Sequence, residues 1–326
     1  MAGIFIGCGD STTSTTKTTE NKKPTSVITV SAPSFDADDA LAKIKTQLDF
    51  GVRTPNSIGH KKCGDWIVEQ CKKSGLIVIE QTFTVPSYDA KVLNARNIIA
   101  SYNPQASRRI MLAAHWDTRP VADQDDERIK EPIPGANDAA SGVAILLELA
   151  ETLHADSSML NIGIDFVFFD VEDGGSPEWV TTSTNDYGGY CMGSEYWAKN
   201  PHVPDYTAYY GVLLDMVGAK GATFYKEQNS MKVAPSVVNK IWSIASEKGY
   251  SSYFINAEGG DILDDHIPVI QHRRIQMIDI IDQKKNNGQT FFDHWHTHED
   301  DLSAIDKGTL NAVGNTLIQV LYEEGK

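Results

Sequence analysis

The chain has 326 residues, of which 41% are hydrophobic and 22% are charged, and its formal net charge at pH 7 is −15. This length and apolar fraction suffice for a full hydrophobic core. The negative charge repels nucleic acid and anionic lipid, so we expect neither as a partner. No apolar run in the sequence approaches the roughly 20 residues that a transmembrane span needs.

The first 33 residues differ in character from the rest of the chain. The apolar stretch Ile4–Gly7 precedes Cys8, and a polar segment rich in Thr, Ser and Lys follows it to about Thr25. This arrangement resembles the end of a bacterial lipoprotein signal, in which the cysteine carries the lipid. We therefore expect residues 1–33 to be a disordered or tether segment with a lipid anchor at Cys8. The protein would then be exported in a bacterium, as a periplasmic protein or a membrane-anchored lipoprotein.

Helical and strand patterns alternate along the remaining chain. Apolar residues recur at helical spacing over 36–50 and 57–73, and a glycine follows each stretch, which predicts two helices. Strands are predicted at 76–85, 97–102, 109–115, 162–170, 208–215 and 275–281, and further helices at 309–321 and from Asn137 onward. Such alternation predicts an α/β fold, with a central, mostly parallel twisted sheet flanked by helices. We expect residues 34–326 to form one catalytic domain.

Titratable residues follow three of the predicted strands. The first of these strands ends in His115-Trp116-Asp117, the second in Asp170-Val171-Glu172-Asp173, and the third in Asp215. Ligands of open α/β sheets bind beyond the carboxyl ends of the strands, and these ends meet at one edge. The three exits together predict a functional edge of the sheet.

The residue types at this edge suit a catalytic zinc, which binds three protein ligands and keeps one position open. Asp138 follows the loop Pro134–Asn137, although a helix cap would explain an aspartate there equally well. In Glu172-Asp173, adjacent side chains diverge, so one can bind metal while the other transfers a proton. The residues alone leave as candidate ligands His115, Asp138, Glu172 or Asp173, Asp215 and His296.

Two further segments are dense in polar groups. His294, His296 and His298 alternate, so an extended backbone would point them the same way, and their spacing does not choose among them. Asp264-Asp265-His266 precedes Ile267-Pro268. Two carboxylates and an imidazole there could form a hydrogen-bonded network that holds a proton, or a cluster of surface charges.

Six motifs occur in an order that resembles the superfamily of zinc aminopeptidases and glutaminyl cyclases. The resemblance extends from about residue 38 to the C-terminus. The motifs are His115-Trp116-Asp117, Gly135–Gly142, Phe168–Asp173, Leu213–Gly218, Asp264–Pro268 and Trp295-His296-Thr297.

Two branches of this superfamily fit the metal ligands. In the aminopeptidase branch, which binds two zincs, the matching ligands are His115, Asp138, Asp173, Asp215 and His296, with Glu172 as general base. The cyclase branch binds one zinc, and the resemblance then implies Asp138, Asp173 and His296 as ligands and Glu172 as the proton shuttle. All of these residues are present, so the ligands alone do not decide between the branches.

Asp264 favours the cyclase branch, because aminopeptidases usually have Ser-Asp-His where this chain has Asp264-Asp265-His266. Trp295 beside His296, and the insertion 176–190 with Trp179, also resemble the cyclases. The segment 190–197 resembles the bacterial enzymes of the animal type. The resemblance implies a glutaminyl cyclase that converts the N-terminal glutamine of peptides or proteins to pyroglutamate and releases ammonia. The alternatives are a di-zinc aminopeptidase that hydrolyses N-terminal residues and a non-catalytic surface binding protein.

The resemblance also implies roles for individual residues. Glu172 and Asp264 would be catalytic, Asp265 and His266 would support them, and Trp295 and Trp179 would line the substrate pocket. Two positions depart from the animal cyclases: Asp173 stands where they have glutamate, and Asp279 where they have histidine. The resemblance leaves open whether His115 and Asp215 hold a second metal.

Overall fold

The structure is a computed structural model that describes residues 1–4, 30–156, 158–177, 179–181, 184–284 and 290–326. Cys8 and most of the predicted tether lie outside these residues. Within the described part of the chain, no helix is long and apolar enough to cross a membrane.

The helices and strands of the described chain extend from Ala37 to Gly325. The strands are β1 (Ile77–Pro86), β2 (Val92–Tyr102), β3 (Arg109–His115), β4 (Gly163–Phe169), β5 (Tyr210–Asp215), β6 (Phe224–Lys226), β7 (Phe254–Glu258) and β8 (Met277–Ile281). The helices are α1 (Ala37–Asp49), α2 (Ile58–Lys73), α3 (Ala140–Ala155), α4 (Met192–Lys199), α5 (Gln228–Val233), α6 (Pro235–Glu247), α7 (His266–Arg273) and α8 (Lys307–Gly325). Every predicted element is present, with the predicted ends for β3 and shifted ends for the others, whereas β6, β7 and the helices α4 to α7 were not predicted.

The central sheet contains six strands in the order β1-β2-β4-β3-β5-β8. β2 runs antiparallel to both of its neighbours, and the pairs β4–β3, β3–β5 and β5–β8 are parallel. The predicted fold class, an α/β fold with a mostly parallel sheet flanked by helices, is therefore confirmed. The strands β6 and β7 form a separate two-stranded sheet.

The side chains of the central strands alternate between two hydrophobic cores. In β3, Ile110, Leu112 and Ala114 belong to the larger core, and Met111 and Ala113 belong to the smaller one. The larger core also contains apolar residues of α1, α2, α3, α6 and α8, while the smaller one includes residues of α4 and α7. Because both faces of β3, β4 and β5 are covered, their sequences are almost continuously apolar. The exception inside a strand is Asp165 of β4, which is buried and lies 2.6 Å from Arg109.

A buried lysine connects α1 to α3. Lys43 is 7% exposed. Its ammonium group lies 2.7 Å from Glu148 and 3.0 Å from Glu151, and it also contacts Asp39. Removal of the lysine would leave Glu148, which is itself 5% exposed, without its counter-charge.

We therefore expect Lys43→Met to lower the free energy of unfolding by about 3 kcal/mol, because it leaves a buried carboxylate unpaired. Lys45→Met is the matched control, since Lys45 lies on the same helix and pairs with Asp49 in solvent. Urea unfolding of both variants measures the effect. An equal loss in the two variants would contradict the assignment.

Candidate metal centre and active site

The titratable residues at the ends of three predicted strands come together at one edge of the sheet. His115 and Asp215 are the last residues of β3 and β5, and Asp170 to Asp173 follow β4 directly. These three strands are parallel neighbours, so their carboxyl ends deliver the side chains to one place.

Two groups of potential metal ligands meet at Asp138. One group contains Asp138, Asp173 and His296, and the other contains Asp138, His115 and Asp215; within each, the donor atoms lie within 4.8 Å of one another. His296 Nε2 lies 3.2 Å from Asp173 Oδ1, and His115 Nε2 lies 2.9 Å from Asp138 Oδ1 and 3.2 Å from Asp215 Oδ1. The structure therefore brings all five candidate ligands together.

Asp138 is held in place from outside the sheet. The carboxylate of Asp300 accepts hydrogen bonds from the backbone N–H groups of Asn137 (2.7 Å) and Asp138 (3.1 Å). The helix α3 begins only at Ala140 and has no side-chain cap, so Asp138 does not cap it. Gly142 brings this helix close to β5, since a Cβ atom there would lie 2.6 Å from the carbonyl oxygen of Leu214.

The turn that carries Glu172 and Asp173 is held by Asp117. Its two carboxylate oxygens accept hydrogen bonds from the N–H groups of Glu172 (3.0 Å) and Asp173 (3.2 Å). The preceding residue, Val171, has a left-handed backbone with φ of 53°. A β-branched residue rarely adopts this conformation, so the surrounding contacts must enforce the turn that separates the two side chains.

His296 is the only one of the three alternating histidines that reaches the metal ligands. Its backbone is left-handed, with φ of 57°, in a segment of turns, so the backbone there is not extended and the three histidines do not point the same way. His294 lies 2.9 Å from Glu299, and His298 lies 2.6 Å from Asp125. The spacing could not reveal this difference because it depends on the turns between them.

Two residues that the sequence analysis missed lie behind His296. Asp123 Oδ1 lies 3.2 Å from His296 Nδ1, on the side of the ring away from Asp173. Arg119 donates hydrogen bonds to both oxygens of Asp123, at 2.6 and 2.5 Å. Although burial opposes ionisation, these contacts with Arg119 and His296 hold the pKa of Asp123 below its usual range. No motif marked Asp123, whose neighbours read as an ordinary acidic loop.

A cavity of about 310 Å³ opens beside the metal ligands. Glu172 and Asp264 line it together with Asp138, Asp173 and His296, and so do Trp295, Phe291 and Tyr190. Trp295 stacks on the imidazole of His296, with 3.7 Å between the ring centroids. Trp295 thus lies where the sequence analysis placed it.

Trp179 is not brought into this cavity. It is 44% exposed and lines a neighbouring cavity together with Tyr88, Pro120 and Gly174. The sequence placed Trp179 in an insertion, but this did not indicate which of the two cavities its side chain would line.

Glu172 is surrounded by groups that resist its ionisation. Burial, together with the charges of Asp264 and Asp173, raises the pKa of Glu172 well above its usual range, although His115 opposes this. The thiol of Cys191 donates to Glu172 Oε1 at 3.5 Å, and the backbone N–H of Cys191 donates to the carbonyl oxygen of Glu172 at 2.9 Å. A carboxyl group with a raised pKa can both take and return a proton near neutral pH.

Asp264, Asp265, His266 and Asp279 are buried behind the cavity, and none of them is more than 3% exposed. The alternative of a surface charge cluster is therefore wrong. Burial makes the largest contribution in raising the pKa of Asp265 to about 7 and that of Asp264 well above its usual range. His266 Nε2 lies 3.5 Å from Glu227 and His266 Nδ1 lies 3.9 Å from Asp279.

The residues of the first ligand group fit a zinc ion. Two carboxylates and one imidazole are the donors that catalytic zinc uses when thiolates are absent. Asp173 Oδ2 is buried without a hydrogen-bond partner, so it has a free coordination position. The contact between Asp123 and the far nitrogen of His296 is the arrangement that orients a metal-binding imidazole.

The fold and the site together define a metal-dependent α/β enzyme whose centre lies at the carboxyl edge of the sheet. The chain matches Peptidase family M28 over residues 97–321, and therefore belongs to that family. Its predicted resemblance to the zinc aminopeptidases and glutaminyl cyclases is thus confirmed.

One solved structure with the same fold is a Zn-dependent exopeptidase from Parabacteroides distasonis. It is 47% identical to this chain with a TM-score of 0.87, and the match covers 90% of this chain and 99% of that one. Another is a Bacteroides thetaiotaomicron glutaminyl cyclase bound to N-acetylhistamine, 42% identical with a TM-score of 0.86 and the same coverage. The glutaminyl-peptide cyclotransferase of Bos taurus is 30% identical over 70% of this chain and 65% of its own length.

The contact of Asp123 with His296 predicts a specific loss of metal affinity. We expect Asp123→Asn to weaken zinc binding about 10- to 100-fold, because the imidazole loses the carboxylate that orients it. Asp125→Asn is the control, since Asp125 contacts His298 instead. Competition with a zinc chelator measures both affinities, and equal affinities would rule out this role of Asp123.

The buried carboxylates predict how the stability of the metal-free protein depends on pH. Burial, followed by the negative charge of Asp138, raises the pKa of Asp215 to about 6. Burial raises the pKa of Asp265 to about 7. Between pH 5 and pH 8 the folded state therefore binds protons that the unfolded chain has already released, and stability falls as pH rises.

We expect the free energy of unfolding of chelator-treated protein to fall by about 1–3 kcal/mol over this pH range. Denaturant titration at several pH values tests this, and Asp265→Asn should flatten the dependence. A stability that rises with pH would contradict the assignment.

Proposed function

We propose that the protein is a glutaminyl cyclase that converts the N-terminal glutamine of peptides or proteins to pyroglutamate and releases ammonia. The observation that carries this function is the carboxylate pair Glu172 and Asp264, whose oxygens lie within 4.8 Å of each other in the cavity that also contains the metal ligands. The similarity to glutaminyl cyclases over nearly the whole described chain supports it.

We further propose one zinc ion, held by Asp138, Asp173 and His296. A zinc bound there would act as a Lewis acid on the side-chain carbonyl of the glutamine. The substrate carries its own nucleophile, the α-amine, so much of the catalytic task is to orient two parts of one residue. A cavity of about 310 Å³ suits one glutamine side chain with its backbone.

Glu172 is positioned to move the proton. It takes a proton from the attacking α-amine and returns it to the leaving nitrogen, and the contacts with Cys191 hold its carboxylate at the cavity wall. Asp264 binds the leaving nitrogen by hydrogen bonding. Trp295 and Phe291 cover the cavity with apolar rings, which limits the access of water that would hydrolyse the amide.

A di-zinc aminopeptidase is the second candidate, and one observation favours it. His115 and Asp215 meet Asp138 in a second ligand group, so the ligands for two metals are in place. The two functions differ in product and in metal content. An aminopeptidase would release the free amino acid and bind two zincs per chain.

The decisive assay is ammonia release from a Gln-initiated dipeptide amide, before and after treatment with a chelator and after zinc is added back. We expect zinc-restorable ammonia release together with a pyroglutamyl product. Free glutamine as the product would instead establish the aminopeptidase.

Glu172→Gln should abolish turnover and leave zinc bound, because the variant loses the proton shuttle but keeps the proposed ligands. Parallel measurement of activity and metal content tests both statements. Loss of zinc in this variant would show that Glu172, and not Asp173, is the ligand.

Asp264→Ser should reduce turnover by about 100-fold or more, the size expected when a group that acts only in the transition state is lost. Near-normal cyclisation by this variant would eliminate the role given to Asp264.

Outside the site, we propose that residues 34–326 form the catalytic domain and that Cys8 anchors an exported protein to lipid. The apolar stretch before Cys8 and the polar segment after it support the anchor. Mass spectrometry of the protein from membranes of its native cells would detect the diacylglyceryl group.

A further inference from the structure

Three side chains behind the cavity leave their polar atoms without partners. Asp264, His266 and Asp279, which we call the inner cluster, are each at most 3% exposed. Asp264 Oδ2, both ring nitrogens of His266 and both carboxylate oxygens of Asp279 have no hydrogen-bond partner. Buried polar atoms are rarely left unpaired, so this concentration in one place indicates a bound group between them.

The spacing within the inner cluster matches that of groups that share one small guest. The three donor and acceptor atoms lie within 4.8 Å of one another, and His266 Nδ1 lies 3.9 Å from Asp279 Oδ2. That separation is too long for a direct hydrogen bond, yet two hydrogen bonds of about 2.9 Å each can span it through a single atom.

The charges around the inner cluster favour a cation as this guest. Burial raises the pKa of Asp279 well above its usual range, and the charges that act on it in the same direction are carboxylates: Asp264, Glu227, Asp215 and Asp265. Glu227 also faces the far nitrogen of His266. A guest that brings positive charge and several N–H donors would satisfy these acceptors and offset the nearby carboxylates, whereas a water molecule would bring two donors and no charge.

The inner cluster also connects to the reaction. Asp264 belongs both to this cluster and to the group it forms with Glu172 and Cys191 at the cavity. A nitrogen that leaves the substrate beside Glu172 is therefore one side chain away from His266 and Asp279.

We propose that the inner cluster is the subsite that binds the ammonium product. This inference rests on the proposed cyclase function. When the carbon–nitrogen bond of the carboxamide breaks, the nitrogen keeps the electron pair and takes from Glu172 the proton that the α-amine lost, which gives ammonia. Ammonia takes one further proton from a hydronium ion of the solvent, which leaves a water molecule, and becomes ammonium, which donates its hydrogen bonds to Asp264, Asp279 and His266 before it leaves.

Ammonium chloride is the probe, with sodium chloride at equal ionic strength as the reference. For the zinc-loaded wild-type protein we expect ammonium to raise the Tm and to inhibit pyroglutamate formation more strongly than sodium does. In Asp279→Asn and in His266→Gln, the apparent affinity for ammonium should be at least tenfold lower than in the wild type, both in the Tm shift and in the inhibition. Two variants are used so that a folding defect in one leaves the other as the test.

Asp282→Asn is the matched control, because Asp282 is a buried carboxylate just beyond β8 with an unpartnered oxygen but lies outside the inner cluster. It should keep the full ammonium response. Equal responses of the wild type to ammonium and sodium would overturn the subsite and identify the guest as water. An ammonium response that is equal in Asp279→Asn and Asp282→Asn would also overturn it. Either result would leave zinc-restorable cyclisation untouched, whereas absence of a pyroglutamyl product would reject the function itself.

Discussion

The structure depends on the balance of negative charge at one edge of its sheet. Buried carboxylates converge there from the ends of three parallel strands and from two loops, and the nearest cationic partners are His115, His296 and Arg119. Like charges in a low-dielectric interior repel strongly, so the arrangement is stable only when metal or shared protons offset the charge. Burial first, and then the charges of neighbouring carboxylates, raises the pKa values of Glu172 and Asp264.

A second row of acidic residues makes the convergence possible. Asp117 accepts the N–H groups of the Glu172-Asp173 turn, Asp300 accepts those beside Asp138, and Asp123 faces His296. The oxygens of these carboxylates are engaged with backbone N–H groups, with an imidazole or with the guanidinium of Arg119. The chain thus uses the same residue type for two tasks, and position alone separates ligand from support.

The sequence predicted the fold well and marked candidate ligands that the structure brings together, for a physical reason. Strands that are buried on both faces read as apolar runs, so the titratable residues at their ends stand out, as His115 and Asp215 do. Positions that depend on irregular backbone could not be predicted in this way. The left-handed conformation of His296 separates it from His294 and His298, and no spacing rule contains that information. The positions of Asp123 behind His296 and of Trp179 outside the cavity could not be predicted for the same reason, because irregular loops carry both side chains.

The hydrogen bonds that Asp300 accepts from the Asp138 loop connect a late part of the chain to an early one. His115 and Asp138 are made early in synthesis, but the residues that complete and brace the centre, His296 and Asp300, come shortly before the last helix. A nascent chain on the ribosome therefore has no finished metal site. In contrast to a zinc finger, in which the ion drives folding, the proposed metal site of this protein is complete only when almost the whole chain has folded.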